Sequence, residues 1–410
     1  MNGDGAASAA FLERSSLESR KGSQARRATV TLFLVDGMTF GTWAALVPYF
    51  QHRFNLSDGQ LSWILFGLVL GAMFSMPVAG HLIARQGSRA IAFPAVLVFC
   101  AALTLPALAP SYILLIAAAV FFGAVKGAVD VSINAQAITV ENEVQRPIMS
   151  SFQAFWSLGG LGAAFLLSLA MNHGLPATFL MLAMAGLLFL LTLSTLGCFL
   201  PDAPAREARP AGFAWPDSKL LRLASLAFLA LFSEGVLLDW SAVYARSVTE
   251  VSVATAPIAF AAFALSMAGG RFLGDFLIGR LGPVRMLRVS GALMATGIAV
   301  AVLIQTWPAV LLGFATVGLG IANLVPILFG AAGRSHKNGA GPGLATVTTL
   351  GYFGFLSGPP LIGALAAVAG LPVAFATVIA FGVIIATLGV SVIRPSLKAR
   401  PTAVSAFDRP

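Results

Sequence analysis

Charge is scarce in this chain. Asp, Glu, Lys and Arg make up only 10% of its 410 residues, against 58% hydrophobic residues and a mean hydropathy of +0.88. A soluble domain carries about 25% charged residues, so most of this surface is not built for water. Cysteine is rarer still: Cys100 and Cys198 stand alone in apolar runs without C-x-x-C spacing, which excludes a disulfide framework and a thiolate metal site. The four histidines, His52, His81, His173 and His336, fall at run ends or in loops with no second ligand at helical spacing, so no metal is expected. A nucleophile with its base and a phosphate-binding loop are both missing; neither an enzyme nor a cofactor is expected.

What the chain does contain is apolar length. A hydrocarbon layer of about 30 Å takes about 20 helical residues, and twelve runs qualify: 28–50, 60–84, 90–109, 111–135, 149–172 and 175–200, then 219–246, 253–279, 283–305, 307–331, 343–370 and 372–393. Glycine (42) and proline (22) are frequent, which is ordinary for helices that pack closely in lipid or bend there. The expected fold is an all-α membrane protein of twelve transmembrane helices.

The net charge of +9 reports topology rather than a nucleic-acid partner. Of the 25 Lys and Arg, 21 fall on one side of the twelve-span layout, Arg53 and Arg246 on the other, and Lys126 and Arg271 within spans. By the positive-inside rule both termini are expected in the cytoplasm. The first run follows Arg26 and Arg27 as a signal peptide would. It is too long, contains Asp36 and lacks a small-residue cleavage site, so it is read as a retained helix.

A Pro-, Ala- and charge-rich stretch separates two halves. The expected organisation is an N-terminal tail (1–27), a six-helix bundle (28–200), a cytoplasmic linker (201–218), a second bundle (219–393) and a C-terminal tail (394–410). The halves echo each other: Asp36 and Gly37 recur as Glu234 and Gly235, and Arg85 and Gly87 as Arg280 and Gly282. Two like-oriented six-helix repeats are a common build of secondary transporters.

On this layout, and on Arg85, Gly87 and Arg89 after the second span, the chain resembles the major facilitator superfamily, with Ala84 where that loop motif usually has an acid. The stretches "DVSINAQAITVENEVQRPIMSSFQAFWSLGGLGAA", "EGVLLDWSAVYAR", "GRFLGDFLIGRLG" and "LGYFGFLSGPPLIGALA" resemble a branch of bacterial inner-membrane permeases near the fucose permeases, a branch that includes a membrane protein linked to rhizopine synthesis. The resemblance implies two pseudo-symmetric bundles and transport of a small solute. It also implies gating near Arg85, Arg89, Arg271, Asp275 and Arg280, with Asp275 partnering Arg280.

Charges within the spans each need a reason, because one at mid-bilayer costs about 2.5 to 3.5 kcal/mol on insertion scales. In "VKGAVDVSINAQ", Lys126, Asp130 and Asn134 recur every four residues and form one polar stripe, with Gly123 and Gly127 beside it to admit a neighbouring helix. Lys126 and Asp130 either neutralise each other as a structural pair or form part of a transport site. The fucose permeases also carry an acid followed four residues later by Asn in this span, which implies a proton-coupling or sugar-binding carboxylate at Asp130. Lys126 has no counterpart there, and their first-span acid falls near Ala44 and Ala45 rather than at Asp36.

Asp36 lies about 13 Å of helix rise past Arg27, and Glu234 about 18 Å past Arg222, so both acids are deep. With Asp130 they are the expected proton-coupling residues. Lys126, Asn134, Gln136, Gln153, Trp156 and Asn323 are the expected solute-binding residues, since amides both donate and accept while indole covers a sugar's apolar face. Arg271 and Asp275, four apart, read as a helix-end ion pair. The expected function is proton-coupled movement of a sugar, polyol or inositol-amine by a monomer in the bacterial inner membrane, with the solute, protons and the bilayer as partners. A drug or metabolite exporter and a non-transporting sensor remain open.

Overall fold

The computed structural model describes residues 3–56, 58–201, 217–251, 256–335 and 340–398. Most of the expected linker, the end of the C-terminal tail, His336 and Lys337 lie outside the described residues. The first half comprises α1 (Gly3–Ala45), α2 (Val47–Arg53), α3 (Asp58–Gln86), α4 (Ser88–Ala102), α5 (Thr104–Leu108), α6 (Tyr112–Val144), α7 (Met149–Asn172) and α8 (Ala177–Leu193). The second comprises α9 (Ser218–Thr249), α10 (Pro257–Ile304), α11 (Trp307–Ile321), α12 (Leu324–Ser335), α13 (Ala340–Ala369) and α14 (Leu371–Lys398).

These elements make twelve crossings. Among the described residues, nine stretches are long and apolar enough to span a membrane by composition. One of them, 258–304, is two crossings folded back at Gly282. The other two are α8, with only 17 residues, and the apolar part of α1, diluted by Asp36 and by Thr29, Thr31, Thr39 and Thr42. Each of these threonines donates its hydroxyl to the carbonyl four residues earlier, so it carries its own hydrogen-bond acceptor into lipid. The helix of α1 begins well before residue 28, so part of the expected tail continues the first crossing.

The repeat is written in the backbone. Gly87 (φ 85°, ψ 158°) separates α3 from α4, and Gly282 (φ 74°, ψ 157°) bends α10 195 positions later. Such positive φ is open to glycine without strain, which is why the helix turns back at these two places. Asn55 and Glu250 also share positive φ at that spacing, and Gly174 and Gly370 lie 196 positions apart.

Glycines also set the packing. A Cβ on Gly37 of α1 would lie 2.0 Å from the Trp156 carbonyl oxygen of α7, and one on Gly235 of α9 would lie 2.6 Å from the Phe355 carbonyl oxygen of α13. The first crossing thus meets the fifth as the seventh meets the eleventh, backbone against backbone. Large apolar side chains face outward, Val368 at 89% and Leu303 at 80% exposure, as a lipid-facing exterior requires. The buried charged residues, Asp36, Lys126, Asp130, Glu234 and Arg271, pair with one another.

Candidate functional site

Lys126, Asp130 and Asn134 share one buried face of α6, as their spacing predicts. The Lys126 ammonium donates to Oδ1 of Asp130 and, at 3.0 Å, to Oδ2 of Asp36 on α1. It also lies 5.8 Å and 5.6 Å from the ring centroids of Phe40 and Trp156. One cation therefore serves two acids inside an aromatic flank. The second oxygen of Asp130, Oδ2, accepts from the hydroxyl of Tyr352 on α13, a residue of the other half. Asn134 donates to the Asp130 carbonyl at 2.8 Å and accepts from Gln153 of α7 at 3.1 Å.

A second charge pair faces this one. Arg271 of α10 lies 3.5 Å from Oε1 of Glu234 on α9 and donates to Ser157 of α7, across the halves, at 2.7 Å. Several atoms here are buried without a hydrogen-bond partner among the described residues: Asp36 Oδ1, Trp156 Nε1, Glu234 Oε2 and Arg271 Nε. Buried polar groups are normally satisfied, so these donors and acceptors are open to a polar guest or water.

Toward the arginine-rich end the halves are clasped. The first N–H groups of a helix have no partner within it and attract carboxylates. At α7, Glu141 of α6 accepts from Ile148 and Met149 at 2.9 and 3.1 Å, and Asp275 of α10 accepts from Ser150 and Ser151, both at 2.9 Å. The Ser151 hydroxyl also donates to Asp275. Glu141 takes a further bond, at 3.0 Å, from Arg334 of α12. One helix start is thus held by an acid from each half.

Some expected pairings do not form. Arg271 turns to Glu234 and Ser157 rather than to Asp275, because Asp275 is drawn to the open N–H groups of α7. Arg280 lies 4.3 Å over the Phe276 ring instead of pairing with Asp275. Gln136 faces away from the cluster, two residues past Asn134 on the helix, and bonds to Ser88 at 2.8 Å and the Leu200 carbonyl at 3.2 Å. Asn323 donates to the Gly270 carbonyl at 2.9 Å and sits beside Gly274, nearer the clasp. Arg85 and Arg89 are exposed at the ends of α3 and α4 that meet at Gly87.

The chain is similar to known proteins along most of its length. The family profile described as Major Facilitator Superfamily matches residues 28–353. The chain belongs to the major facilitator superfamily. An MFS-type transporter of Yersinia pestis is 35% identical over 355 residues, covering 86% of this chain and 91% of that protein. The membrane protein MosC of Rhizobium meliloti is 32% identical over 358 residues, covering 87% and 88%. A crystal structure of a point variant of the E. coli fucose:proton symporter FucP superposes with a TM-score of 0.75 at 15% identity, covering 90% of this chain and 98% of that one. At that identity the superposition speaks for the fold alone.

In this major facilitator protein the charge cluster lies between the two halves: Asp36, Lys126 and Asp130 come from the first, Glu234, Arg271 and Tyr352 from the second. Sequence reasoning missed Tyr352, Ser157, Phe40, Glu141 and Arg334. Tyr352 lies in the quoted "LGYFGF" stretch and is one of only four tyrosines in the chain, a signal that was there to use. The roles of Glu141 and Arg334 rest on the start of α7 and have no local signature.

Proposed function

We propose that this transporter moves a small polar solute, a sugar, polyol or inositol-amine, across the bacterial inner membrane by alternating access with proton coupling. The carrying observation is the cross-half cluster of Asp36, Lys126, Asp130, Tyr352, Glu234 and Arg271, in which one oxygen each of Asp36 and Glu234 and the indole N–H of Trp156 have no hydrogen bond among the described residues. Hydroxyls and amines suit those atoms, while Trp156 and Phe40, stacked 6.3 Å apart, offer an apolar surface. A polar site of this kind favours such solutes over the apolar cargo of a drug exporter.

In this reading the arginine-rich end faces the cytoplasm, with both termini, and the clasp at α7 is the cytoplasmic gate. Alternating access then requires Asp275 and Arg334 to leave α7 and Glu141 as the halves rock apart. Both sides of the site come from one chain, so a monomer suffices. The test is uptake of labelled sugars, polyols and amino-polyols into proteoliposomes with and without an inward pH gradient. Gradient-dependent accumulation of one class supports the reading, and a panel without accumulation in either direction overturns it.

A further inference from the structure

Two aspartates share one lysine, yet their four oxygens are not equivalent. Asp130 has both oxygens occupied by donors, Oδ1 by Lys126 and Oδ2 by Tyr352. Asp36 has Oδ2 on Lys126 and leaves Oδ1 without a hydrogen bond among the described residues, with the Trp156 side chain its polar neighbour, although the residue is fully buried. Asp36, Asp130 and Lys126 together would carry one surplus negative charge, which a buried site in lipid strongly disfavours. One proton removes it, and of the two aspartates only Asp36 has an oxygen that can take that proton without breaking a bond to a donor. The nearby Glu234 and Arg271 offset each other and supply no net cation.

We propose that Tyr352 is a positioning residue which decides which of the two aspartates holds a single shared proton. While α13 lies against α6, Tyr352 keeps Asp130 ionised and the proton stays on Asp36 Oδ1. When the halves separate and the hydroxyl withdraws, Asp130 Oδ2 becomes free. The proton then passes from Asp36 Oδ1 to Asp130 Oδ2, and Lys126 remains as the partner of the newly ionised Asp36. Charge is conserved, and the carboxyl that can release the proton has changed with the conformation. The titratable and charged groups facing the shared proton are Asp36 from α1, the Cys100 thiol from α4, Lys126 and Asp130 from α6, Glu234 from α9, Arg271 from α10 and Tyr352 from α13. The inference rests on the transport reading for its use, but not for its chemistry.

Infrared difference spectroscopy of the reconstituted full chain reads a protonated carboxyl directly. The expected result is a protonated-carboxyl band in the wild type that is lost in both Asp36→Asn and Asp130→Asn, since either leaves one acid for one lysine. In Tyr352→Phe, which keeps the ring, the band persists at a shifted frequency. Vesicles carrying Tyr352→Phe also leak protons in the absence of solute, whereas wild-type vesicles hold a pH gradient. A band missing from the wild type, an unshifted band in Tyr352→Phe, or an equally proton-tight variant overturns the proposal. Elution as a monodisperse peak and retention of helical circular dichroism exclude misfolding as the cause. A band that behaves as expected in a protein that accumulates no solute would sink the transport reading and leave the proton switch standing.

Discussion

Lys126 reaches across ninety positions of sequence to Asp36, ammonium to Oδ2 at 3.0 Å, while Asp130 from its own helix takes the same ammonium. An i, i+4 pair on one helix would have been a local solution to burying charge. A lysine divided between two helices instead couples α1 to α6, and through Asp130 and Tyr352 to α13.

Removing that lysine should be costlier than removing either acid. Lys126→Ala leaves Asp36 and Asp130 facing each other without a cation, and losing one partner of a buried pair costs about 3 to 5 kcal/mol. The double variant Lys126→Ala with Asp130→Asn should recover part of this. Thermal unfolding in detergent checks it, and a double variant no more stable than the single one would contradict a shared cation.

Asp130→Asn should abolish accumulation driven by a pH gradient, down to the level of empty vesicles, while exchange of solute at equal pH persists. Paired uptake and counterflow assays read the two separately. Unchanged gradient-driven uptake removes Asp130 from the coupling mechanism.

The two glutamines should part company. Gln153→Ala removes an amide expected to bond the solute, and a loss of about 1 kcal/mol in solute binding should raise KM about fivefold. Gln136→Ala should lower the unfolding temperature and leave KM unchanged, because its partners Ser88 and Leu200 lie away from the cluster. The opposite pattern would place the solute elsewhere.

At the clasp, Glu141→Arg and Arg334→Glu should each favour the form open at the arginine-rich end. The double swap should recover only the pair's coupling of about 1 kcal/mol, because an arginine in place of Glu141 cannot accept from the Ile148 and Met149 N–H groups. Spin-label distances between α7 and α12 measure the populations, and strict additivity would show that the pair is not part of the gate.

Helix approach gives a further check. A Cβ on Gly123 would lie 1.8 Å from the Leu68 carbonyl oxygen of α3, so Gly123→Val should destabilise the first half by about 1 to 3 kcal/mol through forced separation of α3 and α6. Leu114→Ala, near the start of the same helix and 51% exposed, should cost far less. Unfolding midpoints of the two variants compare them directly.

Much of this was legible beforehand, and for physical reasons. The stripe of Lys126, Asp130 and Asn134 followed from helical periodicity, and the echo of Gly87 in Gly282 from the special backbone each turn needs. The pairing of Arg271 with Asp275 was misread because spacing on one helix says which residues can meet, not which have better partners elsewhere. Asp275 found the open N–H groups of α7, and Arg271 found Glu234. Gln136, expected among the solute-binding residues, lies on a different side of the helix from Asn134, because two residues along a helix turn it by about 200°.

The amino-acid sequence by itself determined the number of crossings, their division into two repeats and the scarcity of buried charge. Apolar runs of about 20 residues satisfy their backbone in lipid as helices, and every ionisable residue within them stands out. Only the tertiary structure decided that Lys126 is shared, that Asp130 is engaged by Tyr352 from the other half, and that Glu141 and Asp275 converge on one helix start. Those contacts depend on how far each helix is rotated and how closely glycines let backbones approach, and neither quantity is carried by the local pattern of any single helix.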